Sequence, residues 1–288
     1  MAALDLTKQA ASAQRPLMTN ARHGRASEQG SAILFMTALL SLAMALGYGL
    51  IIAGQAESTQ SSVAARRQAY LNDAATTLRD FYTSNPSRMD ADTATHWSGP
   101  EELAREAGLV LRYGARLDIG QRQSQGDLRY RTLTLWIPAP DASNSSFTPA
   151  NASGYRQVSG LEIQRRIANR ARRQLTRLSN TLVVYYAGRL EIDPLHSASV
   201  NYWQGRGCSD AAAGDFGCST SFIPLVDLAD PSVGLAQSTG TNPWGQTIQG
   251  RNRGSGVETV SPPYTLQLRS LYPWGGGITK TVVQPLGV

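Results

Sequence analysis

A polar, charged leader ends at Gln29-Gly30 and gives way at once to Ser31–Ala53, a run of 23 uncharged, mostly apolar residues (SAILFMTALLSLAMALGYGLIIA). This run constrains the chain more than any other feature, because a helix apolar on every side has no stable place in water. At about 1.5 Å per residue it spans roughly 35 Å, enough for a hydrocarbon core of about 30 Å. Lys8, Arg15, Arg22 and Arg25 precede it against only Asp5 and Glu28, and no Lys or Arg follows until Arg66. That asymmetry predicts one pass, with the N-terminus cytoplasmic and the remaining mass outside.

Beyond the span lie about 230 residues, room for one large or two small folded units. Hydrophobic residues at 41% and aromatics at 7% suit a globular ectodomain rather than a disordered tail. The bases are nearly all arginine, with Lys8 and Lys280 the only lysines. The formal charge of +6 would fall to +4 without residues 1–30, so basicity alone is a weak pointer to nucleic acid. Cys208 and Cys218, the only cysteines, predict a disulfide in an exported domain.

Three fates fit the apolar run. A secretory signal peptide would have a shorter core, although Gly54-Gln55-Ala56 offers a small-residue cleavage site. An uncleaved anchor on a periplasmic binding or envelope protein is the second. The third follows from Glu28-Gln29-Gly30 abutting an apolar helix after a basic leader. That junction resembles the prepilin-peptidase site of type IV pilins and pseudopilins. The resemblance implies a cut after Gly30 and methylation of the new N-terminus, Ser31. It also implies partners: the peptidase, other pilin subunits and an inner-membrane assembly platform. Phe35 stands where major pilins carry Glu, which points to a minor subunit rather than an abundant shaft component.

After Ala53 the sequence turns amphipathic without a break. Val63, Tyr70, Leu71, Ala74, Ala75, Leu78, Phe81 and Tyr82 recur at helical spacing until Asn85-Pro86 stops them. One helix over 31–84, roughly 80 Å long, is therefore predicted. The expected class is α+β: this helix packed on a head with an antiparallel sheet and a second long helix. The expected segments are a leader (1–30), the assembly helix (31–84), a first head region (85–137), a linker or long loop (138–159) and a helix with a β-rich head (160–288).

In the head, Ser98 reads as a helix cap, and Leu128–Ile137 alternates as a strand. Ile163, Ile167, Ala171, Leu175, Leu178, Leu182 and Tyr186 mark a helix over 161–187, closed by Gly188. Further strands are predicted at 220–228, 245–249, 264–271 and 278–285. Asn242-Pro243-Trp244-Gly245 resembles a turn found in pilin and pseudopilin heads, where Pro fixes φ, Gly permits φ > 0 and Trp plugs the core.

No zinc, nucleophile-elbow or phosphate-loop pattern is present, and His23, His96 and His196 lie far apart, so no enzyme, cofactor or small-molecule substrate is expected. Asp210, Asp215, Asp227 and Asp230 have the chemistry for calcium, but such residues usually form solvated turns. The second helix carries Arg165, Arg166, Arg170, Arg172, Arg173 and Arg177. That face reads first as solvated, or as a contact for carboxylates of an adjacent subunit. A nucleic-acid backbone, with Tyr185, Tyr186, Tyr202 and Trp203 stacking bases, is the lesser alternative.

Overall fold

The computed structural model describes residues 27–92, 96–142, 146–194, 197–205, 208, 214–229, 233, 235 and 240–285. The chain divides into two units, the first ending at Val63 and the second running Ala64–Val288. Helix α1 (Ser27–Ser84) contains the whole predicted span and starts four residues before Ser31. In the first unit, Phe35–Ile52 is exposed and long and apolar enough to cross a membrane, with mean hydropathy 2.0.

The second unit is a mixture of helices and antiparallel sheets. Residues of α1 beyond Ala64 supply Leu71, Ala74, Ala75, Leu78 and Tyr82 to its first core, with Leu103, Leu117, Leu133, Leu135 and Val158. Two short helices follow, α2 (Pro86–Asp90) and α3 (Pro100–Glu106). The cap of α3 is Gly99 rather than Ser98, whose N–H and hydroxyl both donate to the Glu102 carboxylate. At its other end Gly108, at φ +69°, lets the Leu109 N–H reach the Ala104 carbonyl, as in a Schellman motif.

The predicted strand over 128–137 is two strands. β3 (Leu128–Tyr130) forms a ribbon with β2 (Gln123–Gln125), while β4 (Thr132–Pro138) joins a separate sheet. Arg131 is the break: its N–H donates to the Tyr82 hydroxyl, and its guanidinium donates to the carbonyls of Met89, Gly120 and Asp92. A residue so engaged cannot serve one continuous ladder.

The linker expected at 138–159 is also corrected. Its last third is β5 (Ala152–Ser159), antiparallel to β4, which pairs on its other side with β1 (Arg116–Ile119). Gly154 sits where α1 passes close to this strand: a Cβ there would lie 3.2 Å from Leu71 Cδ1, a tight contact that a small shift of the leucine tip would relieve.

Helix α4 (Gly160–Ile192) outruns the prediction at its C-terminus. Gly188 does not cap it: Leu190, one turn beyond Tyr186, still packs on the second core, and Asp193 is the cap. Ile163, Ile167, Ala168 and Ala171 enter the first core, and Leu175, Leu178, Leu182 and Tyr186 enter the second. One helix thus serves two cores through consecutive lengths of one stripe.

The second core lies between α4 and a meander of β6 (Ile223–Pro224), β7 (Ile248–Arg251), β8 (Thr265–Leu271) and β9 (Gly277–Val283), in that order. The strand expected at 220–228 survives only as β6, followed by the helical turn α5 (Leu225–Leu228). Leu225 and Leu228 are both buried, and three residues apart they share a side only if the backbone is helical. The strand expected from Gly245 starts at Ile248, because Gly245 sits at φ +77° in the preceding turn.

Candidate functional site: an exposed apolar helix and an arginine cleft

The eleven large apolar side chains from Phe35 to Ile52 are all more than half exposed, on every side of α1. Covering each is worth about 1.5–3 kcal/mol, so leaving all of them in water would cost on the order of 15–30 kcal/mol. That exceeds the roughly 5–15 kcal/mol stability of a whole domain. The segment therefore requires lipid or other protein around it. Gly30 and Ser31 lie in the first two turns of α1, and their side-chain surroundings fall outside the described residues.

The arginines of α4 do not act as one group. Arg165 donates to the Gln125 side chain, at 3.0 Å, and Arg172 to Asn169 at 2.9 Å. Arg170, Arg173 and Arg177 instead line a cleft of about 600 Å³ with Gln174, Thr181, Thr241, Asn242 and Pro243. Among the described residues, none of these three, nor Arg166, makes an ion pair.

The facing wall is fixed. Asn242 is buried; its side-chain oxygen accepts from the N–H groups of Trp244 and Gln246, and its amide donates to Ser270 Oγ and the Leu271 carbonyl. Gln174 ties α4 to this wall by donating to the Thr241 carbonyl at 2.7 Å. The aromatic residues expected to stack bases point elsewhere. Tyr186, Tyr202 and Trp203 are buried in the second core, and Tyr185 donates to Asp215.

Below the same turn runs a buried polar chain that the sequence reading missed. Trp244 Nε1 donates to Gln164 Oε1 at 2.8 Å; Gln164 Nε2 and the Tyr82 hydroxyl both donate to Asp90 Oδ2 at 2.5 Å. Burial pushes the Asp90 carboxyl up to about 6, against the opposing pull of those two bonds and of Arg131. Burial likewise raises the Tyr82 hydroxyl and lowers the Arg131 guanidinium. Asp90 is completely enclosed, so no substrate can reach it. Its role is structural. The available signal was Gln164, a polar residue on the apolar stripe between Ile163 and Ile167.

Cys208 and Cys218 are joined, with Cα atoms 5.3 Å apart. Asp215, inside their loop, accepts from Tyr185 and pairs with Arg189 at 3.7 Å, so it is engaged rather than free for a cation. Asp210, Asp230 and His196 lie outside the described residues, and among the described residues no three acids, histidines or cysteines cluster. No protein-family model, curated protein or solved structure matches the chain.

Proposed function

We propose that the chain is a minor pilin or pseudopilin, an assembly subunit of a type IV pilus or a related secretion or conjugation filament. Prepilin peptidase cuts after Gly30, and the subunit then enters the filament through its apolar helix. The observation that carries this reading is the exposed apolar length Phe35–Ile52 of α1, in the same apolar run that follows the Glu28-Gln29-Gly30 junction. Lipid and a bundle of like helices reward the same surface, so one segment serves as anchor first and filament core later. Further support is that the same helix carries Leu71, Leu78 and Tyr82 into a folded helix-and-sheet core. Phe35 lacks the charge that would pair with a neighbour's N-terminal amine, which fits low copy number in a tip or priming complex.

The protein resides in the bacterial inner membrane with its folded unit in the periplasm, until extraction. Intact mass and N-terminal sequencing of the protein from its native host test this. The expected product begins at Ser31 and carries one added methyl group. Retention of Met1 identifies an unprocessed anchor and refutes the proposal, and a start near Glu57 refutes it in favour of secretion.

A further inference from the structure

We propose that the cleft between α4 and the Asn242-Pro243-Trp244-Gly245 turn is a docking site for an acidic peptide segment of a partner protein. It does not depend on whether Gly30 is cleaved. Arg170, Arg173 and Arg177 fall at i, i+3 and i+7, so they project from one face of α4 over about 10 Å. That is the reach of three to four residues of extended chain, at about 3.3 Å each.

All three guanidiniums are exposed and free of ion pairs among the described residues. Their planar forks match carboxylates bidentately. The Thr181 hydroxyl already donates to the Arg177 carbonyl, leaving its oxygen free to accept from a peptide N–H. Asn242 and Gln174 hold the opposite wall through bonds to the fold, so ordering on this side at binding is confined to the arginine side chains.

A single nucleic-acid strand shares the charge requirement but draws much of its affinity from rings on which bases stack. Among the described residues the cleft offers none, since its lining is arginine, glutamine, threonine, asparagine, leucine and proline. That lining favours carboxylates on a polypeptide over a stacked single strand.

The test uses the full chain in neutral detergent micelles and fluorescence anisotropy. The probes are a fluorescein-labelled Gly-Glu repeat peptide, its Gly-Gln counterpart and a labelled oligothymidylate. The acidic peptide is expected to bind at low salt and to weaken as salt rises. The triple variant Arg170→Gln, Arg173→Gln, Arg177→Gln is expected to lose roughly tenfold or more in affinity, with unchanged thermal unfolding. A control removing the same charge elsewhere, Arg66→Gln, Arg67→Gln, Arg79→Gln, is expected to retain binding. Failure to bind the acidic peptide, equal loss in both triple variants, or tighter binding of the oligothymidylate overturns the proposal.

Discussion

Replacing Asp90 with Asn is expected to remove a pH dependence that the wild-type fold carries. The Asp90 carboxyl is buried, with Oδ1 lacking a partner and Oδ2 shared by Tyr82 and Gln164. Its folded value is about 6, against an ordinary 3.8. The folded chain therefore holds this proton more tightly than the unfolded chain does. Stability from Asp90 is complete below about pH 4, falls as pH rises through 6, and is flat above. At about 1.4 kcal/mol per unit, the two-unit gap corresponds to a loss of about 3 kcal/mol.

Glu102, Glu106 and Glu258 are held below the usual carboxylate range, the first two mainly by side-chain hydrogen bonds from Ser98 and Trp97, the third by backbone N–H groups. They act in the opposite sense, losing stability as pH falls, but they are common to both proteins and cancel in the difference. Urea unfolding of the full chain in detergent, followed by tryptophan fluorescence from about pH 4 to 7, provides the assay. Wild type should lose about 3 kcal/mol relative to Asp90→Asn across that range. Parallel pH profiles for the two proteins would refute the reasoning.

Trp244→Phe keeps an aromatic ring but strands the Gln164 oxygen and leaves space beside Tyr272 and Trp274, and urea midpoints should report a loss of at least about 1–3 kcal/mol. Gly160→Ala places a methyl group against the Arg131 carbonyl oxygen and the Tyr82 hydroxyl, where α4 begins. Differential scanning calorimetry should show it costing at least about 3 kcal/mol, since neither the strand nor the buried polar chain can yield cheaply. Opening the Cys208–Cys218 loop by Cys208→Ser with Cys218→Ser should cost about 2–3 kcal/mol. Reductant should then lower the wild-type melting temperature and leave the variant unchanged.

Periodic apolar spacing made α4, the later part of α1 and the strands β8 and β9 readable, because each turns one set of side chains to a core, whereas the first half of α1 was legible from its unbroken apolar run. What escaped were positions where a tertiary contact overrides the local pattern. The loop-like segment around Gly154 becomes a strand because it pairs with β4, and Arg131 breaks a well-patterned strand because its guanidinium serves carbonyls of α2 and its flanks. Gly188 looks like a cap, but the helix continues because Leu190 has a core to reach. At the candidate site, arginine identity was legible and arginine selection was not. Only the fold shows that Arg170, Arg173 and Arg177 share a wall with Asn242 while Arg165 turns to Gln125.

The polar chain beneath that wall also decides how the second unit is divided. Trp244 and Tyr272, which come late in the sequence, lie in the first core beside Leu71 and Leu103, not in the second with the strands that flank them. Gln164 joins Trp244 to Asp90, so side chains from α4, from α2 and from the Asn242 turn complete one another's hydrogen bonds. A fragment beginning at Gly160 would keep the β6–β9 meander but strip cover from Ile163, Ile167 and Ala171. It would also leave Gln164 facing water in place of Asp90. The two cores therefore differ in what surrounds them but not in independence: the shared helix and the buried carboxylate make residues 85–159 and 160–285 parts of one folded body.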